Sequence, residues 1–197
     1  MQAKVLLIDA SSSRSSVLKR ALIEYGYELV AKLNDTKDLL DQVEQFQPDV
    51  IVMGVDSPDQ NALQQLANLN KQHPYPVVMF AEKETPQIIE QVVKAGISAF
   101  IVDDIQAHRI TSIINVAIAR FKEHQSIRSE LEKTKTKLAE RKTLEKAKGL
   151  LMAEKGCSED EAYQCLRKMA MDKSLPLRVV SENVIEVMSL LSKTQAK

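Results

Sequence analysis

The stretch that decides the fold is "IVMGVDSPDQ", residues 51–60. With Val50 it forms an apolar run that reads as a buried β-strand over Val50–Val55. The run does not alternate with polar residues, so both faces of the strand are covered, as in a parallel sheet packed between helices. Where such a strand hands over to its loop stand Gly54, which has no side chain, and then Asp56, Ser57 and Pro58. In open parallel sheets, chemistry collects at these carboxyl ends. The other strand ends therefore decide what Gly54 means.

Working outward, the first 120 residues alternate strand and helix. Strands are expected at Lys4–Asp9, Tyr27–Lys32, Pro76–Ala81 and Ala99–Val102. Between them, helical periodicity runs over Ser11–Tyr25, stopped by Gly26, and over Thr36–Phe46, Asn61–Lys71 and Pro86–Ala95, closed by Gly96. The fourth helix is expected to turn Ile88, Ile89, Val92 and Val93 inward. Five apolar strands separated by amphipathic helices predict an α/β domain with a five-stranded parallel sheet.

The fifth helix begins near Ile105 and meets no Gly or Pro before Gly149. Ile110, Ala117, His124, Leu131 and Leu138 recur every seven residues, and Ile113 and Ile127 sit at matching +3 places. Arg120, His124 and Thr134 interrupt this heptad seam. The expectation is a coiled-coil linker over residues 105–140, pairing two chains into a homodimer, with a long single helix lying on its own domain as the alternative. A helical module follows. Its first helix runs to Gly156, and Ser158 with Glu161 forms a capping box that starts a second helix over Asp160–Met171. Pro176 marks a third, with Leu177, Val180, Val184, Val187, Met188 and Leu191 as its apolar stripe.

Net charge is zero, but it is divided unevenly. Residues 1–120 carry 11 Lys and Arg against 15 Asp and Glu, and residues 121–197 carry 16 against 12. The basic excess is steepest over Lys133–Lys148 and suggests a polyanionic partner for the C-terminal third. Hydrophobic residues make up 44% of the chain, yet no apolar run approaches the length of a membrane span. The apolar N-terminal run is too short for a signal peptide, so a cytoplasmic location is expected. Cys157 and Cys165 read as reduced thiols, and His73, His108 and His124 form no ligand spacing, so neither metal nor cofactor is expected. With no nucleophile–base pair and no phosphate loop, an enzyme is disfavoured.

Read in order, the strand ends are Asp9-Ala10, Gly54-Val55-Asp56, Ala81-Glu82 and Asp103-Asp104. Over residues 1–120 this resembles the receiver domain of two-component response regulators, a flavodoxin-like (CheY-like) fold. The resemblance implies an acidic pair that holds Mg²⁺, a phosphoacceptor Asp, a Ser or Thr, and a Lys. Only Asp9 matches. The second acid is Ala10, the acceptor place is Gly54, the hydroxyl place is Ala81 and the lysine place is Asp103. Asp56, as a relocated acid, is expected to face away from the pocket, and residual divalent binding through Asp9 and Asp56 is left open. The domain reads as a pseudo-receiver with no phosphoacceptor.

Residues 138–193 resemble the ANTAR domain, an RNA-binding module, through "ERKTLEKAKGLLM" (140–152), "SEDEAYQCLRKMAM" (158–171) and the amphipathic helix that follows. The order of parts is similar to that of NasT/AmiR-type transcription antiterminators, and the stretch from His73 to Phe121 is similar to the nitrate-responsive branch. That resemblance implies binding to paired hairpins in leader mRNA of nitrate/nitrite assimilation genes. It also implies control by a nitrate-sensor protein of the NasS type. In the first helix of the module, Arg141, Glu145 and Lys148 share one stripe, Lys142, Lys146 and Gly149 the next, and Leu144, Ala147 and Leu151 point inward. In the second, Tyr163 and Arg167 line up beside Lys168. Basic residues flanking small ones admit a phosphate backbone, and Tyr163 either stacks on an unpaired base or sits half-buried in the core. Gly149 in mid-helix costs about 1 kcal/mol relative to Ala, which points to a close approach there. Met152, Met169 and Met171 are expected in the core. Two other readings stay open: a DNA-binding response regulator, against which stands the acidic and apolar third helix, and a protein-interaction adaptor without nucleic-acid binding.

Overall fold

The computed structural model describes residues 2–102 and 106–195. The chain divides into two units, residues 1–126 and 127–197, which are considered separately.

In the first unit, β1 (Lys4–Asp9), β2 (Glu28–Leu33), β3 (Val50–Val55), β4 (Val77–Ala81) and β5 (Ala99–Val102) form one sheet in the order β2-β1-β3-β4-β5. All four pairings are parallel. Between the strands run α1 (Ser12–Glu24), α2 (Leu39–Phe46), α3 (Gln60–Gln72) and α4 (Pro86–Lys94). Side-chain alternation along the strands builds two cores. Leu6, Ile8, Ile51, Met53 and Met79 face α2, α3 and α4 through Leu39, Val43, Leu63, Leu66 and Val92. Val5, Leu7, Val50, Val52, Val78 and Phe80 face α1 through Leu18, Ala21 and Leu22. The doubly covered sheet read from the strands is thus the architecture found.

Three local readings need correction. The second helix starts at Leu39 rather than Thr36, because Asp38 adopts a left-handed backbone (φ 56°) immediately before it. Residues 36–38 form a turn, with Thr36 buried in it. In α4, Val92 is buried and Ile88 partly so, whereas Ile89 and Val93 are exposed. A nine-residue helix over the edge of the sheet offers only one stripe to the core. The third correction concerns α5 (Ala107–Lys155), one continuous helix. Ile110, Ile114 and Ala117 are buried against the sheet, and Ile113 is partly buried beside them. Ile110 and Ala117 are therefore core residues and are not free to pair with a second chain. The sheet selects the 3.6-residue stripe 110-114-117, which a heptad reading cuts across. His124, Ile127, Leu131 and Leu138 remain exposed.

In the second unit, the last turns of α5 pack with α6 (Glu159–Asp172) and α7 (Leu177–Gln195). The capping box is present: Glu161 N donates to Ser158 Oγ, and Ser158 N donates to Glu161 Oε2. Ala147, Leu151, Ala162, Leu166 and Val180 form the buried core, with Leu144, Leu177, Val184 and Met188 partly buried around it. Val187 is exposed, as are Met152 and Met171, while Met169 alone of the three methionines packs on the core. The Leu191 side chain lies outside the described residues.

So small a core has little reserve. Leu166→Ala is expected to cost roughly 2–5 kcal/mol. In urea unfolding of the full chain followed by circular dichroism, it should bring forward the loss of the C-terminal unit's helix. The receiver transition should not move.

Candidate functional site

The strand-end pocket of the first unit is organised by a residue that the sequence reading did not single out. Ser11 caps α1, and Arg14 lies in that helix's first turn. Its guanidinium turns back over the sheet. Nε donates to Asp9 Oδ2 at 3.0 Å, and Nη2 donates to Asp9 Oδ1 at 3.0 Å. Nη1 donates to Asp56 Oδ1 and to Glu82 Oε1, each at 2.8 Å. Asp9 is 1% exposed, and its Oδ1 also accepts from Ser11 N at 2.8 Å. A cation at a helix N-terminus is unfavourable by itself. Here three carboxylates offset it. Burial acts against the Arg14 charge, but hydrogen bonds to Asp9 and Asp56 outweigh it and raise its pKa above the ordinary value.

Gly54 lies beside Asp9 in the β1–β3 register, and Ala81 is buried at the end of β4. Ala10 is exposed. Asp103 lies outside the described residues. Asp56 faces the pocket, contrary to expectation: β3 ends at Val55 and the next residue turns toward Arg14. Residues two apart in a strand share a face, so Gly54 and Asp56 begin on the same side in any case. Arg14 and Glu82 could not be found by spacing, since one comes from the first turn of α1 and the other from the loop after β4. The local signal was a basic residue in the serine-rich first turn of the helix after β1.

A divalent ion of the kind receivers hold does not fit this arrangement. The carboxylate oxygens that would ligate it are already engaged by the guanidinium. Gly54 also has no atom able to accept a phosphoryl group.

In the second unit the predicted RNA residues separate into two groups. Arg141, Lys142 and Lys146 on α5, and Arg167 and Lys168 on α6, are exposed and hold no ion pair among the described residues. Tyr163 is 36% exposed. Gly149 is exposed, and a Cβ there would meet nothing within 4 Å, so packing within this chain does not explain it. Lys148 is different. It is 7% exposed, and its Nζ pairs with Glu145 Oε1 at 2.9 Å and Glu159 Oε1 at 2.5 Å. Hydrogen bonds to Glu159 and Glu145 raise its pKa. Lys148 is thus a strut between α5 and the start of α6 rather than a free phosphate contact. Its partner, eleven residues on and past a turn, was beyond helical spacing.

The parallel sheet, its order and its covering helices are those of the flavodoxin-like (CheY-like) fold, and a helical C-terminal module follows. Comparison with known proteins agrees: residues 5–115 match the response regulator receiver domain and residues 132–185 the ANTAR domain. The chain belongs to the response regulator receiver family and is an ANTAR regulator of the NasT/AmiR type. It is 26% identical over 185 residues to the transcriptional regulatory protein PdtaR of Mycobacterium tuberculosis, covering 94% of this chain and 90% of that one. Over 68 residues it is 41% identical to the nitrate regulatory protein of Klebsiella oxytoca, covering 34% of this chain and 17% of that protein. A signal receiver domain from Desulfovibrio desulfuricans superposes with a TM-score of 0.56 at 13% identity, covering 63% of this chain and 99% of that one, which shows the fold. The ANTAR domain and the related regulators support RNA-binding regulation. No helix among the described residues is long and apolar enough to cross a membrane.

The ion pairs set a pH window for the second unit. Hydrogen bonds from Lys148 hold the Glu159 carboxyl below the usual range, and those from Ser158 do the same for Glu161. Depressed carboxyl pKa values add stability that is present above the unfolded value of about 4.3 and lost as pH falls through the folded one. The raised Lys148 pKa adds stability that is complete below about 10.4 and lost as pH rises through the folded value. Urea midpoints should therefore fall off on both sides of a neutral plateau. Lys148→Met should remove the alkaline limb and the Glu159 share of the acid limb, leaving that of Glu161.

Proposed function

We propose that this chain is a transcription antitermination regulator that binds paired hairpins in leader mRNA. The observation that carries this reading is the set of exposed cations, Arg141, Lys142, Lys146, Arg167 and Lys168, which hold no ion pair among the described residues, on the two ANTAR helices. Tyr163, partly exposed, presents a ring on which a loop base can stack. Gly149 offers backbone without a side chain in the way. Hairpin loops expose bases and phosphates together, which such a surface suits better than a duplex groove. Two hairpins are met by two copies of the chain, joined as a coiled coil through Ile127, Leu131 and Leu138, with His124 in the same seam. These three apolar residues are 59%, 51% and 54% exposed in the single chain, a row that pairing would cover.

The target is a leader of nitrate/nitrite assimilation genes, and the input is a protein partner, a nitrate-binding sensor, in place of phosphorylation. Partial likeness to the nitrate regulatory protein of Klebsiella oxytoca supports the first. Gly54 at the acceptor place supports the second. Such a partner acts only through a difference in its affinity for active and inactive states of the regulator.

Titration of the full chain into a two-hairpin leader RNA, a one-hairpin control and matched duplex DNA tests this reading. Binding should favour the two-hairpin RNA and weaken with salt. Arg167→Glu should weaken it and lower the salt slope by about 1. Lys148→Met should lower stability more than its salt slope. Equal affinity for duplex DNA would favour a DNA-binding regulator, and no nucleic-acid binding would favour an adaptor. In sedimentation, Leu131→Lys should convert a dimer to a monomer and reduce the preference for two hairpins. Gly149→Ala should raise helix stability by about 1 kcal/mol while weakening RNA binding, because its exposed position has no other claim on glycine.

A further inference from the structure

We propose that the strand-end pocket is a cation site occupied by the chain's own Arg14, and that Gly54 is glycine because the Arg14–Asp9 pair needs its space. A divalent ion is thereby replaced by a tethered guanidinium, not merely lost.

Two observations carry this. The first is the coordination. Arg14 reaches carboxylates at the ends of three different strands: Asp9, the last residue of β1, Asp56 just after β3 and Glu82 just after β4. Its side chain is only 9% exposed, while those of Asp56 and Glu82 are 78% and 60% exposed. The cation therefore sits inside, and the acids close over it. The two bonds to Asp9 are a parallel fork, the geometry a planar guanidinium offers a carboxylate and an ammonium does not.

The second observation is steric. A Cβ at Gly54 would fall inside contact distance of Asp9 Oδ2 and 2.8 Å from Arg14 Nε. Asp9 cannot turn aside while Arg14 and the Ser11 amide hold both its oxygens. Any side chain at position 54 collides with the fork itself. Placing Asp there would restore an acceptor carboxylate only by breaking the pair. The absent acceptor and the internal cation are thus one coupled feature. They tie the β1–α1, β3–α3 and β4–α4 loops together without an ion. This holds whether or not the chain binds RNA.

The test is a double-mutant cycle on the full chain, with thermal melts followed by circular dichroism and magnesium titration by calorimetry. Arg14→Ala should lower the melting temperature of the receiver transition by roughly 4–8 °C, and Arg14→Lys should recover only part of the loss. Gly54→Ala should be costly beside Arg14. In the Arg14→Ala background only the Ser11 amide still holds Asp9, through Oδ1, so Oδ2 can give way and Gly54→Ala should cost less than half as much. The wild type should give no saturable magnesium heat. Should Arg14→Ala fail to fold, Arg14→Lys carries the same cycle. The proposal is overturned by an unchanged melt on removing Arg14 or by an equal cost of Gly54→Ala in both backgrounds. Saturable magnesium binding to the wild type that Asp9→Asn abolishes would overturn it as well.

Discussion

The burial of Ile110, Ile114 and Ala117 against β1, β3 and β4 is the contact on which the rest depends. A helix of 49 residues with a mostly polar surface gains little from its own hydrogen bonds in water. Its first three turns are held because they complete the second core of the sheet, where Val5, Leu7, Val52 and Phe80 need cover. Its last turns are held because Ala147 and Leu151 complete a separate small core with α6 and α7. The middle, from His124 to Leu138, has neither support and keeps its apolar residues exposed. The stretch with least to hold it within one chain is therefore the one with most to gain from a second.

That division explains which parts of the fold could be read from the sequence. The strands were legible because apolar runs such as Val50–Val55 and Val77–Ala81 suit only a sheet covered on both sides. The capping box at Ser158 was legible because it is a local pattern whose partners lie three residues apart. The seam from Ile110 was misread because seven-residue recurrence fits two surfaces, and only the presence of the sheet decides between them. Ile89 and Val93 were misread for a related reason: periodicity gives the apolar face of a helix, not how much of that face the neighbouring sheet can reach.

The candidate sites show the same limit. Arg141, Lys142, Lys146, Arg167 and Lys168 lie where helical spacing places them, because an exposed stripe is a one-helix property. Lys148 belongs to the same basic run, yet its role depends on Glu159 from the next helix. In the receiver unit, substitution by substitution the sequence shows only chemistry removed: Ala10, Gly54 and Ala81. The Arg14 network appears when β1, β3 and β4 bring their ends together, and it turns a set of losses into a single exchange of one cation for another.

That exchange bears on how such a regulator can be switched. A bound ion can leave, and a phosphoryl group can be added or removed, so a pocket built from them has two states that differ in charge. A guanidinium fixed to its own helix has no such second state at working pH, since Arg keeps its charge in proteins. The loops it joins then carry no chemical variable of their own. On the proposed function a signal would then enter as binding energy from outside, in a contact made with one assembly state and not with the other. A ligand-sensing partner supplies such a difference when its own conformation changes. On the proposed function the receiver fold would be the surface offered to that partner, with the internal cation joining its strand-end loops.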